Sequence, residues 1–166
     1  LPQFDIDGQN RLLESSVLLI GLGGLGSPVA MYLAAAGVGR LVLVDHDSVE
    51  LSNLQRQIVH ATQDIGRPKV DSARDRLLAL NPNTRVEAVE RRLDDEGFDA
   101  LMPGIDVVVD ATDNFQTRFA INRACARHGV PLISGAAIRF EGQVTVFRPG
   151  TPDSPCYRCL YSDEAA

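Results

Sequence analysis

Short apolar runs alternate with segments of helical period along this chain. Val17-Leu18-Leu19-Ile20 is an unbroken apolar run that closes on a glycine cluster, the pattern of a strand buried on both faces. Leu25, Val29, Leu33 and Ala36 then recur at three- or four-residue spacing, with Ser27-Pro28 as a cap and first-turn proline and Gly37 and Gly39 as the stop. Residues 41–44 repeat the buried-strand pattern and run into Asp45. Residues 51–60 read as a short helix. Val70, Ala73, Leu77 and Leu80 predict a helix starting at Lys69, which Asn81-Pro82 halts. Residues 85–90 alternate polar and apolar, as a strand near a sheet edge does. Residues 106–110 give a third central strand, 114–128 a helix, 130–133 a fourth strand and 142–147 one more. Strand–helix alternation of this kind predicts an α/β fold, Rossmann-like and doubly wound, with a mainly parallel sheet and helices on both faces.

A length of 166 residues fits a single domain, 1–166, large enough to bury about 70 % of its unfolded surface without a disulfide or metal. The net charge of −6 argues against a nucleic-acid partner, which needs a basic face to match phosphates. No apolar run reaches the roughly 18 residues that cross a bilayer, and no signal pattern opens the chain, so neither a membrane partner nor export is expected. Three cysteines, two of them in Cys156-Tyr157-Arg158-Cys159, suit a cytoplasmic metal or redox motif better than a secreted disulfide scaffold. The chain opens without Met and closes soon after that pair, which reads as a fragment lacking both ends of a longer polypeptide.

Gly21-Leu22-Gly23-Gly24-Leu25-Gly26 fits GxGxxG between a strand and a helix, where glycines let backbone N–H groups approach a phosphate at the positive helix end. Asp45, 19 residues after Gly26, ends the next strand, where an acid accepts hydrogen bonds from ribose hydroxyls; Asp47 is a nearby decoy. Glycines serving only helix–strand packing are the plain alternative. A nicotinamide dinucleotide carries about two negative charges and ATP about four, so extra cations and a carboxylate separate them. Arg56, in Ser52-Asn53-Leu54-Gln55-Arg56-Gln57, and Lys69, after Gly66-Arg67-Pro68, supply the cations. Asp113-Asn114, beyond the carboxyl end of the third central strand, supplies the carboxylate. Singly, the cations read as solvated helix charges and Asp113 as a helix cap; together they point to a triphosphate and its Mg²⁺.

These segments, in this order and ending on the cysteine pair, resemble the MoeB/ThiF family, relatives of the ubiquitin-activating enzymes. The resemblance implies ATP-dependent adenylation of the C-terminal glycine of a ubiquitin-like sulfur-carrier protein, with release of pyrophosphate, in molybdopterin or thiamine biosynthesis. The segment from Ile133 to Gln143 looks nearer the molybdopterin branch. By position, the resemblance implies a nucleotide site of Gly21, Gly23, Gly24, Gly26, Asp45, Ser52, Asn53, Gln55 and Asn114. Arg56, Lys69 and Asp113 complete it as catalytic residues, with Mg²⁺ on Asp113. It also implies a homodimer whose partner's arginine completes each site, and a structural Zn²⁺ for which Cys156 and Cys159 form only half the ligands. An NAD-dependent oxidoreductase leaves Arg56, Lys69 and Asp113 unexplained. A non-catalytic partner of an activating enzyme is the third reading.

A thioredoxin-like pair would open a helix, and the sequence after Cys156 is too short to suggest one. Cys125 reads as a small core hydrophobe. His46, His60 and His128 stand singly, with surface or capping roles expected.

Overall fold

The structure is a computed structural model, and it describes residues 4–161; the closing segment 162–166, read above as a cut end, lies outside the described residues. In chain order the elements are α1 (Asp5–Glu14), β1 (Ser16–Ile20), α2 (Gly26–Ala36), β2 (Arg40–Val44), α3 (Lys69–Leu80), β3 (Arg85–Val89), α4 (Asp95–Leu101), β4 (Val107–Asp110), α5 (Phe115–His128), β5 (Leu132–Ile138), β6 (Glu141–Phe147) and α6 (Tyr157–Leu160). The six strands form one sheet in the order β3-β2-β1-β4-β5-β6. Every pairing is parallel except β5 with β6.

Side chains alternate between the two faces of a strand, so each apolar run feeds two cores. Leu18 and Ile20 of β1 pack with Val42, Val108 and Phe98, Phe119 and Ile121 from α4 and α5. Val17 and Leu19 pack on the other side with Leu41, Leu43 and Ala30, Ala34, Val70 and Leu77 from α2 and α3. The runs of β1, β2 and β4 are apolar on both faces because helices cover both, whereas β3 is only half-buried at the edge. The α/β expectation and its edge strand therefore stand.

Several local expectations are corrected. Residues 51–60 form no α-helix; a single 3₁₀ turn, Leu51–Asn53, gives way to irregular turns. Ser27 does not cap α2. The helix starts at Gly26 with Leu25 at the cap position, and the buried Ser27 hydroxyl donates to the Leu22 carbonyl at 3.1 Å. Helices α1 and α4 carry no sequence-level prediction. The first buries no residue, and the second is seven residues long with Phe98 as its one buried side chain, too little for a period to emerge.

Candidate functional site

The strand order reverses between β1 and β4, and in open α/β sheets ligands lie at the carboxyl ends of strands beside such a switch point. A cavity of about 790 Å³ opens there. Gly21, Gly23, Gly24, Asp45, Asn53, Arg56, Lys69, Asp113 and Asn114 all line it. Gly26, Ser52 and Gln55 do not. Gly26 lies under the glycine turn, and an added Cβ would sit 1.8 Å from the Gly21 carbonyl oxygen, so its absence permits the helix to approach the turn. Ser52 and Gln55 are exposed on the turns that replace the expected helix, with the Ser52 hydroxyl turned to Glu50.

The glycine turn is held from several sides. Gly21 takes a φ of +89°, which an L side chain rarely adopts, and its N–H donates to the Val44 carbonyl at 2.9 Å. Asp45 Oδ2 accepts from the Leu22 N–H at 2.7 Å, and Oδ1 accepts from the Asp47 N–H at 2.9 Å. The carboxylate expected to wait for a ribose thus also ties the turn to β2. His60 is buried, not on the surface. Its Nε2–H donates to the Leu22 carbonyl at 3.3 Å, and its Nδ1 lies 2.9 Å from Ser72 Oγ. Burial pushes the His60 imidazole below its ordinary range, the nearby Lys69 adds to this, and the Leu22 carbonyl opposes it. The props at Asp45 and His60 are separated from the turn by many residues, so no local spacing announced them.

Lys69 opens α3 with its side chain only 6 % exposed, and Nζ donates to Asp47 Oδ2 at 2.9 Å. Asp47, the presumed decoy, is therefore the lysine's partner and a wall of the cavity. The Lys69 hydrogen bond holds its carboxyl below the usual carboxylate range; the Lys69, His46 and Arg92 charges assist, against partial desolvation. The Arg56 side chain crosses Gly24, 3.4 Å from where a Cβ would stand. Asp113 is not a helix cap. Asn114 Oδ1 accepts from the Thr117 N–H at 2.9 Å and caps α5, while the exposed Asp113 carboxylate has no partner among the described residues. Arg91, Arg92 and Thr112 border the same cavity and drew no notice in the sequence, since nothing marks them but position.

Cys156 and Cys159 lie with sulfurs 3.5 Å apart, and Cys156 is the cap residue of α6, so the pair does open a one-turn helix. Tetrahedral zinc with bonds of about 2.3 Å sets its thiolates about 3.8 Å apart, so the pair fits two of four ligand positions. Among the described residues no third Cys, His, Asp or Glu joins them. Burial raises the Cys156 thiol, but hydrogen bonds from Cys159 and Asn122 outweigh it and leave the thiol below its ordinary range. His46 sits at the cavity mouth beside Asp47, and His128 pairs with Asp99 at 3.1 Å near the end of α5.

A glycine turn at a helix start, an acid at the next strand end, two cations and an uncommitted carboxylate lie around one cavity of an α/β domain, an arrangement whose chemistry suits a polyanionic ligand. The chain belongs to the ThiF family, whose pattern matches residues 1–166. It is 52 % identical over 160 residues to the molybdopterin-synthase adenylyltransferase of Escherichia coli, covering 96 % of this chain and 64 % of that protein. The sulfur carrier protein ThiS adenylyltransferase of the same organism is 50 % identical over 163 residues, 98 % of this chain and 64 % of the relative. The SAMP-activating enzyme E1 of Haloferax volcanii is 52 % identical over 157 residues, 95 % of this chain and 57 % of the relative. The chain thus spans roughly three-fifths of the length of these relatives. The crystal structure of E. coli MccB with ATP superposes with a TM-score of 0.83 at 28 % identity, over 91 % of this chain and 46 % of that one. Among the described residues no helix is long and apolar enough to cross a membrane.

Proposed function

We propose that this domain binds ATP and adenylates the C-terminal carboxylate of a ubiquitin-like sulfur-carrier protein. The observation that carries the reading is the free Asp113 carboxylate facing a cavity that also holds Lys69 and Arg56. The names of the relatives support the substrate class, and their near-equal identities leave the molybdopterin and thiamine carriers side by side.

A C-terminal carboxylate is ionised at neutral pH and needs no general base, which fits a cavity without a nucleophile–histidine pair. Its oxygen bonds to the α-phosphorus while the bond to the bridging oxygen breaks, and pyrophosphate leaves. Positioning and charge neutralisation therefore do most of the work. The glycine turn and the start of α2 would cradle the phosphates, Asp45 would meet the ribose, and Lys69 and Arg56 would face developing charge on phosphate. Asp113, a hard oxygen donor, would hold Mg²⁺, which would supply positive charge to offset that of the phosphates. Cys156 and Cys159 would contribute half of a structural Zn²⁺ site, completed elsewhere. A homodimer and a cytoplasmic setting accompany this reading, the former on family resemblance and the latter on the use of ATP and free thiols.

ATP–pyrophosphate exchange with candidate carriers tests the proposal, alongside calorimetric titration with ATP and NAD in the presence of Mg²⁺. Carrier-dependent exchange and preference for ATP are expected. Equal or tighter binding of NAD overturns the reading. Asp113→Asn should abolish exchange while leaving the melting temperature unchanged, because Asn114, not Asp113, caps α5. Exchange that survives in that variant with unaltered Mg²⁺ dependence removes Asp113 from the metal role.

A further inference from the structure

Arg118 has no place in the chemistry above, yet it is the most heavily invested side chain near it. It lies on α5, one turn beyond the Asn114 cap, and is 8 % exposed. Nη2 donates to the Thr112 carbonyl, and Nη1 reaches the Tyr157 hydroxyl at 3.5 Å. Nε stands 3.8 Å from Asp110 Oδ2 and has no hydrogen-bond partner. The Phe115 ring lies 5.8 Å from its guanidinium carbon. Asp110, 1 % exposed at the end of β4, accepts from the Thr112 N–H at 2.9 Å, the Thr112 hydroxyl at 2.6 Å and the Ser134 hydroxyl at 2.9 Å.

Thr112, the residue immediately before Asp113, is thus gripped at both ends of its backbone: N–H by the carboxylate, carbonyl by the guanidinium. The far side of the guanidinium rests on Tyr157, which lies between the two cysteines. The Tyr157 N–H donates to Asn122 Oδ1 on α5 at 2.9 Å, and its ring meets Phe119 edge-on at 5.5 Å. Burying a guanidinium and a carboxylate is expensive, and an apolar pair of the same volume often packs such a space as stably. Stability alone therefore does not call for these two residues here. Their hydrogen bonds converge on one backbone turn.

We propose that Arg118, clamped between Asp110 and Tyr157, is a positioning residue that fixes the turn from Ala111 to Asn114 and so the aim of the Asp113 carboxylate. Through Tyr157, the packing of the Cys156–Cys159 segment is then felt at the nucleotide site. The kinetic half of this inference rests on the proposed adenylation; the ordering of the turn does not.

The test compares Arg118→Met, Arg118→Lys and Tyr157→Phe with the parent protein. It reads two quantities: amide hydrogen exchange at Thr112–Asn114 without nucleotide, and the Mg²⁺ concentration that half-saturates pyrophosphate exchange at saturating ATP. Arg118→Met should speed exchange of the turn and raise the half-saturating Mg²⁺ about 10-fold, the scale of losing a support behind a metal ligand. The KM for ATP should change far less. Arg118→Lys, which retains a donor for the Thr112 carbonyl, should recover part of the effect. Tyr157→Phe should show the same signature more weakly. If Arg118→Met fails to fold, Tyr157→Phe decides alone. A lowered melting temperature with unchanged turn exchange and unchanged Mg²⁺ dependence overturns the proposal in favour of packing. A KM for ATP that rises as much as the Mg²⁺ requirement overturns it in favour of direct nucleotide contact. A loosened turn in the variants, with no pyrophosphate exchange even from the parent, upholds the positioning and refutes the adenylation.

Discussion

Replacing Lys69 with Met separates what the residue does for the fold from the role proposed for it at the nucleotide. Deleting one member of a buried ion pair usually costs about 3–5 kcal/mol, because the other charge is stranded away from water. Here the survivor is Asp47, whose side chain is 53 % exposed, while the lysine being removed is 6 % exposed. Water takes the lysine's place at the carboxylate, and the buried position gains an apolar side chain of similar length. Stability should therefore change by no more than about 1 kcal/mol, the ordinary range for an ion pair with one wet partner. The Asp47 carboxyl, held low chiefly by the Lys69 hydrogen bond, should rise toward 3.8. A folded value below the unfolded one contributes stability that is present above the unfolded value and lost as pH falls through the folded one, so the loss of stability as pH falls below 3.8 should lessen in the variant. Pyrophosphate exchange should meanwhile fall by about 2–4 kcal/mol of transition-state stabilisation, or roughly 30- to 900-fold. Urea unfolding, carboxyl titration by NMR and exchange kinetics on the same sample provide the three readings. A loss of several kcal/mol in stability with exchange within about threefold of the parent would make Lys69 a structural residue and refute the argument.

Gly26→Ala places a methyl 1.8 Å from the Gly21 carbonyl oxygen, so the turn or α2 must shift; ATP binding should be lost and stability should fall by at least the roughly 1–3 kcal/mol of an overpacked site, as calorimetry and thermal melts will register. Burial first, and the Asp110 charge second, push the Cys125 thiol up to about 12, so iodoacetamide at pH 8 with a chelator should modify Cys156 and Cys159 while sparing Cys125 until the protein unfolds. Because the folded His60 rejects a proton that the unfolded chain accepts near 6.5, stability should decline as pH drops from about 7 through that value, and His60→Gln should flatten this segment of the stability–pH curve.

The central strands were legible because β1, β2 and β4 are covered on both sides and so appear as unbroken apolar runs. The glycine turn was legible because its spacing answers backbone demands: a left-handed φ at Gly21 and the close approach of Gly26 to the Gly21 carbonyl. Residues 51–60 misled because apolar residues there dip into the core from irregular turns: Val59 is buried while Leu51 and Ile58 stay exposed, with no helix to give them a period. Asp113 and Asn114 were both marked, but which of them caps α5 depends on a backbone angle that composition does not encode. Asp47 looked dispensable until the fold carried Lys69 to it from 22 residues away. The roles of Arg118 and His60 were hidden for the same reason, since Tyr157 and Leu22 come to them from 39 and 38 residues away, and Asp110 likewise meets Ser134 from 24 residues on.

The propping of the glycine turn has a kinetic consequence. With Gly21 bonded to β2, Leu22 held by Asp45 at its N–H and by His60 at its carbonyl, the turn proposed to cradle phosphate is assembled during folding, before any nucleotide arrives. Its conformational entropy is already spent at that stage, so the encounter with a phosphate has no loop-ordering step to wait for. Association should then follow a single phase whose rate is proportional to nucleotide concentration, set by diffusion and by the attraction of Arg56 and Lys69 for a polyanion. Loosening a prop such as His60 would reveal itself less in the bound complex than in the approach to it, as a slower, saturating phase in which the turn must first be found.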